Sequence, residues 1–215
     1  MVAATTKKIL MIDGHEVARV GLKYILEEGI PASILSEAGT AQVALRLIAE
    51  QEWDLVLLEL SLDGNRGLEV LKEIKRARPH LPVLIVSGYA EKQYAFRAIK
   101  AGAAGYFSKN NNAAELVTAA TKVLQGGRYV SSSLAETLSA DVHRDGAESV
   151  SELLSDREFQ VMRFIGSGKT VGEIAKVLSL SDKTVSTYRA RILEKTGLKN
   201  NAEMLRYVVE QGLLD

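Results

Sequence analysis

The stretch LVLLEL, Leu55–Leu60, decides how the first half of the chain is read: four consecutive apolar residues run straight into a carboxylate. A strand with one face in water alternates apolar and polar residues, whereas a strand covered on both faces is apolar throughout. The same design recurs on either side, in ILMID at Ile9–Asp13 and VLIVS at Val83–Ser87. Five short strands are expected, at Ile9–Ile12, Ser33–Ser36, Leu55–Leu58, Val83–Val86 and Gly105–Phe107. Amphipathic segments lie between and after them, at about Val17–Glu28, Ala41–Gln51, Gly67–Arg78, Lys92–Ala101 and Ala113–Leu124. In the first of these Val17, Val20, Leu22, Tyr24, Ile25 and Leu26 predict one broad apolar face. Strands alternating with helices of this length imply βαβ units, and so an α/β domain with a doubly wound, five-stranded parallel sheet.

In such a sheet all strands end at one edge, and ligands bind there, near the point where the strand order reverses. Asp13, Glu59, Ser87 and Lys109 each follow an apolar run. Two carboxylates, a hydroxyl and an ammonium therefore converge. Carboxylates can hold Mg²⁺, while a lysine and a hydroxyl neutralise and orient phosphoryl oxygens. His15 and Asp63 stand close by, and a structural loop residue and a solvated turn residue are expected there.

The pattern breaks after Gly127. Residues 1–127 form the first domain, and 128–150, with SSS at Ser131–Ser133 and HRDGAES at His143–Ser149, read as a linker containing a short helix near Leu134–Leu138. From 151 to 215 no strand signal remains. Four helices are expected at about Asp156–Ser167, Val171–Leu178, Asp182–Thr196 and Asn201–Gln211. Ser155 or Asp156 caps the first, with Glu158 placed for a capping box; Ser181 caps the third and Gly197 ends it. Two helices joined by Ser179–Leu180–Ser181 make a helix-turn-helix candidate.

Net charge is zero over 215 residues, with 27 basic and 27 acidic side chains, which excludes a wholly basic nucleic-acid coat. The charge is unevenly spread. Lys169–Lys199 holds seven basic residues and three acidic ones, the local footprint of phosphate binding. On a helical wheel Val185, Tyr188 and Ile192 point inward. Lys183, Thr187, Ala190, Arg191 and Glu194 lie opposite, with Ser186 at their edge, a face suited to a major groove. Phe159, Met162, Phe164 and Ile165 are expected in the core. With no cysteine, disulfides and thiolate metal sites are excluded. Apolar runs are too short for a helical membrane span, and Met1–Lys8 lacks the apolar core of a secretory signal, so a cytoplasmic protein is expected.

IDGH at Ile12–His15, LLEL at Leu57–Leu60, VSGY at Val86–Tyr89 and GAAGYFSK at Gly102–Lys109 resemble a response-regulator receiver domain. Leu153–Asn200 resembles a LuxR-type helix-turn-helix, and the two together resemble the NarL/FixJ family of two-component transcription factors. The resemblance implies a flavodoxin-like receiver and a four-helix DNA-binding domain, acting as a homodimer on duplex DNA and served by a sensor histidine kinase or another regulatory protein. It implies that Ser186, Thr187 and Ala190 face bases and that Lys183, Thr184, Arg191 and Lys195 reach phosphates. In the last helix Leu205, Val208 and Val209 match either a dimer contact or simple packing. Ser87, Lys109 and the switch aromatic Tyr106 fit the family pattern. Three positions depart from it: Glu59 stands where the acceptor aspartate belongs, Gly14 replaces an acidic metal ligand, and Asp63 stands where proline is usual. Weakened Mg²⁺ binding, through Asp13 with Glu59, and no ordinary aspartyl phosphate are expected. Glu59 either imitates an acyl phosphate in part or leaves a locked or purely dimerising receiver. A phosphotransfer enzyme is the alternative, and GSGKT at Gly166–Thr170 has the tail of a phosphate-binding loop without its first glycine.

Overall fold

Five parallel strands form one sheet in the computed structural model of the chain, which describes residues 6–132, 134–136 and 153–214. They are β1 (Lys7–Ile12), β2 (Ser33–Ala38), β3 (Leu55–Leu58), β4 (Val83–Ser87) and β5 (Gly105–Ser108), in the order β2-β1-β3-β4-β5. Every neighbouring pair is parallel, with Ile12 opposite Leu58 and Leu58 opposite Ile85. The order reverses between β1 and β3, which is where a doubly wound sheet opens its crevice. Four strands outrun their apolar runs, β2 as far as Ala38, because backbone pairing with β1 does not require an apolar side chain.

The helices are α1 (Glu16–Gly29), α2 (Ala41–Glu50), α3 (Leu62–Asn65), α4 (Gly67–Ala77), α5 (Glu91–Lys100) and α6 (Ala113–Leu124). Leu22 and Leu26 of α1, with Leu116, Ala119, Ala120 and Val123 of α6, pack against Ile9, Met11, Leu55, Leu57 and Leu84. The alternate strand residues Leu10, Ile12, Val56, Leu58, Val83 and Ile85 are buried as fully, so both faces of the sheet are covered. That double coverage is why LVLL shows no alternation. The four-residue α3 has no counterpart in the sequence pattern, because one turn is too short to display a helical period.

The broad apolar face expected of α1 is corrected. Leu22 and Leu26 are buried, but Val17 is 85% exposed, and Val20 and Tyr24 are also exposed. At about 100° per residue, Val17, Val20 and Tyr24 form a second stripe roughly opposite the first. A helix lying on a sheet can bury only one of them.

Two compact units divide the chain, Met1–Ala135 and Glu136–Asp215. Residues 128–135, read from sequence as the start of the linker, pack with the first unit. The expected short helix is helical over 134–136, and its remainder at 137–138 lies outside the described residues. The second unit holds α7 (Asp156–Gly166), α8 (Val171–Leu178), α9 (Asp182–Thr196) and α10 (Asn201–Glu210). Phe159, Met162, Ile165, Ile174, Val185, Ile192, Met204 and Val208 are its centre. Phe164 and Tyr188, both expected inside, are only half-buried. Gly166 permits α7 to meet α10, since a Cβ there would stand 2.7 Å from the Val208 side chain.

Candidate acceptor site and nucleic-acid interface

All four polar strand ends meet at the carboxyl edge of the sheet. Asp13, Glu59 and Ser87 are buried, and Lys109 reaches in from the end of β5. Glu59 Oε1 accepts from Ser87 Oγ at 2.6 Å and from the Ser61 amide at 3.0 Å. Its Oε2 takes the Lys109 ammonium at 2.6 Å and the Gly88 amide at 3.3 Å. Hydroxyl, ammonium and backbone N–H groups are the donors that would cradle phosphoryl oxygens; here a carboxylate of the chain itself fills them. Lys109 also pairs with Asp13 Oδ2 at 2.5 Å. Burial opposes the charge of Lys109, but the Glu59 carboxylate and hydrogen bonds to Asp13 and Glu59 outweigh it, and its pKa is raised.

The local sequence explains the placement. Gly67 starts α4 hard against the loop after β3, and a Cβ there would lie 2.4 Å from Leu60 Cα and 2.6 Å from the Glu59 carbonyl oxygen. Backbone at that distance leaves room only for glycine. Asp13 is fixed by the His15 amide at 2.8 Å, while the exposed His15 ring approaches the same carboxylate oxygen at 3.2 Å. Arg19 was not singled out in the sequence; it donates to the Asp13 carbonyl at 2.8 Å and to Glu37 at 3.2 Å. Its position on a helix with mixed charge carried no signal. Asp63 is no idle turn residue. With φ at +46°, its carboxylate accepts from the Ala41 amide at 2.7 Å and so helps cap α2.

Tyr106 is buried and its hydroxyl donates to the Tyr89 carbonyl at 2.8 Å. Burial pushes the phenol pKa far above its ordinary value. The Tyr89 amide in turn donates to Ser87 Oγ at 3.3 Å, so Tyr106 is linked to Glu59 through two residues.

The donor set does not fit a resident Mg²⁺ as it stands. Asp13 and Glu59 are bridged by Lys109, Gly14 offers no side chain, and the described residues hold no group of three or more ligating side chains.

In the second unit, α9 follows a short turn in which Ser179 takes φ +53°. Ser155 and Glu158 close the expected capping box on α7; Ser181 caps α9 through the Thr184 amide, and Gly197 ends it at φ +70°. Lys183, Ser186, Thr187, Ala190 and Arg191 are exposed along α9 while Val185 and Ile192 are fully buried. Two residues expected to reach phosphates also have partners within the chain. Thr184 Oγ1 lies 2.8 Å from Ser181 Oγ, and Lys195 Nζ is 2.7 Å from Glu158 Oε2. Glu158 is 2% exposed. Burial works to raise its pKa, but hydrogen bonds from Lys195 and Ser155 prevail and hold it below the usual carboxylate value. Sequence reasoning placed Glu158 only as a capping residue, because its partner lies 37 positions away. GSGKT is no phosphate loop: Gly166 ends α7, and Thr170 caps α8 in a capping box with Glu173.

Comparison with known proteins covers both units. The response regulator receiver domain matches residues 9–121, and the luxR family of bacterial regulatory proteins matches residues 152–208. The chain is 32% identical over 206 residues to the response regulator UvrY of Escherichia coli K12, covering 95% of this chain and 94% of that one. It is 33% identical over 208 residues to the transcriptional activator protein ExaE of Pseudomonas putida, covering 96% and 97%. Among solved structures, RcsB from Salmonella enterica serovar Typhimurium, bound to promoter rprA in the presence of phosphomimetic BeF3−, is similar in fold. Its TM-score is 0.65 at 23% identity, over 95% of this chain and 99% of that one.

Proposed function

The chain belongs to the response regulators that join a receiver domain to a luxR-family regulatory domain, and from that premise we propose a transcription regulator that binds duplex DNA through α9 and whose receiver works without an ordinary aspartyl phosphate. The receiver half is 1–127 with 128–135 packed onto it, the DNA-binding half is 151–215, and the connection lies between. One observation carries the receiver reading: the Glu59 carboxylate takes up the Ser87 hydroxyl, the Lys109 ammonium and two backbone amides at once. A carboxylate brings one negative charge to donors that a phosphoryl group would meet with about −1.5 to −2. Glu59 thereby biases the receiver toward one state without a covalent step.

For DNA, Ser186, Thr187 and Ala190 meet base edges, and Lys183 and Arg191 meet phosphates. Exposed apolar residues support a homodimer, Leu205 and Val209 on α10 among them. Regulation then comes from partner proteins or assembly.

Two measurements test the proposal. Fluorescence anisotropy with labelled duplex should show weaker, less salt-dependent binding for the Lys183→Ala/Arg191→Ala double variant. Unchanged binding at every salt concentration refutes the α9 assignment. Incubation with acetyl phosphate and Mg²⁺, followed by intact mass measurement, should show no adduct. A stable phosphoryl adduct that also tightens DNA binding refutes the receiver reading.

A further inference from the structure

β5 is the last strand of the sheet, and an open edge strand presents unpaired N–H and C=O groups. Here the edge is occupied by the chain that leaves the receiver. The Tyr129 amide donates to the Ala104 carbonyl at 3.0 Å, and the Tyr106 amide donates to the Tyr129 carbonyl at 3.0 Å, a parallel bridge opposite Gly105. Glycine at 105 makes this approach available, since a Cβ would stand 2.5 Å from the Tyr129 carbonyl oxygen. Two side-chain bonds reinforce it. Tyr129 Oη donates to Glu115 Oε1 at 2.6 Å, and the Ser131 amide reaches Glu91 Oε1 at 3.4 Å. Burial and the Glu115 carboxylate push the Tyr129 phenol up to about 12, so the donor proton is held throughout the physiological range. Ser131 Oγ then accepts from the Leu134 amide, and Leu134 is buried.

This docked segment begins at the switch residue. Tyr106 gives its hydroxyl to Tyr89, whose amide bonds Ser87 Oγ, which bonds Glu59. Tyr106 gives its backbone amide to Tyr129. A single residue therefore joins the exit of the chain to the acceptor position, the latter through Tyr89 and Ser87. We propose that Arg128–Ser132 and Leu134 form a strap whose docking on the β5 edge depends on the engaged state of Glu59, so that the receiver speaks to the DNA-binding half by holding or releasing the start of the connecting segment. The proposal rests on the reading of Glu59 as the standing occupant of the acceptor site. With the strap docked, the connection leaves the receiver after Leu134. With it released, the connection starts after Gly127 and gains roughly 20–25 Å of reach at ~3.3–3.6 Å per extended residue. Longer reach changes the effective concentration of one half near the other, and with it the assembly on DNA.

The test is native-state amide hydrogen exchange on the full-length chain, read at the Tyr106 and Tyr129 amides and referenced to Ile9–Ile12, which report global opening. Tyr129→Phe removes only the bond to Glu115 and should raise exchange at both amides by about tenfold. Glu59→Gln, more than one residue removed from either amide, should raise the same two rates several-fold above the global reference. The combined variant should show about the product of the single effects, since each change weakens the same docking equilibrium through a separate bond. Exchange at Tyr129 that ignores Glu59→Gln overturns the proposal. The acetyl phosphate result bears on the acceptor reading alone, so the two failures are distinguishable.

Discussion

Substituting Lys195 should cost the second unit stability while leaving the salt dependence of DNA binding nearly intact. Its ammonium is 2.7 Å from Glu158 Oε2, and Glu158 is almost wholly buried. Removing one partner of a buried ion pair costs about 3–5 kcal/mol when the other is left uncompensated. Two features reduce that here. The Lys195 side chain is 42% exposed, so water shares the charge, and Glu158 keeps the Ser155 amide at 2.8 Å. About 2 kcal/mol is the resulting figure for Lys195→Met. For a unit of this size it lowers the unfolding midpoint by roughly 8–16 °C. The effect on DNA is smaller than that at Lys183 or Arg191. Each exposed cation that neutralises a phosphate contributes about 0.9 to the slope of log K against log salt, or about 3.5-fold in affinity between roughly 50 and 200 mM. Lys183→Ala and Arg191→Ala should each flatten the slope by about that amount per protomer, and so by about 1.8 for the homodimer. Lys195→Met should flatten it by well under half a unit. The assays are thermal unfolding by circular dichroism and anisotropy titrations across salt, both on the full chain. A Lys195→Met variant with a full unit of lost slope and an unmoved midpoint would show that the ammonium serves phosphate, and the ion-pair reasoning would fall.

Three further outcomes are expected. Glu158 has a depressed pKa, so its contribution is complete above the ordinary value of 4.5 and is lost as pH falls through the lower folded value; urea titrations from neutral to acid pH should show the second unit weakening there, and Lys195→Met should reduce that dependence. Lys109 has a raised pKa, so its contribution is complete below 10.5 and is lost only as pH rises through the higher folded value; the first unit should weaken at strongly alkaline pH, and less so in Glu59→Gln. Position 14 has open space, the nearest atom to an added Cβ being 3.9 Å away, so Gly14→Asp should fold normally. Combined with Glu59→Asp it should yield more phosphoryl adduct by mass than the two single variants together, while either alone yields little.

The periodicity of the chain determined the sheet, both helical layers and the helix-turn-helix. Doubly covered strands must be continuously apolar, and capping residues must sit one turn from the groups they satisfy. Because parallel strands all end at one edge, Asp13, Glu59, Ser87 and Lys109 were also legible as a cluster before any coordinates. What periodicity cannot convey is which partner a group takes once two are in reach. Tertiary structure alone decided that Lys109 is shared between Asp13 and Glu59, and that Lys195 pairs with Glu158. It likewise decided that Tyr129 closes the β5 edge, and that only one of two apolar stripes on α1 is buried. A wheel or an alternation specifies the face on which a side chain stands. The identity of what stands opposite depends on contacts between residues far apart in the chain, and those exist only after the elements have packed.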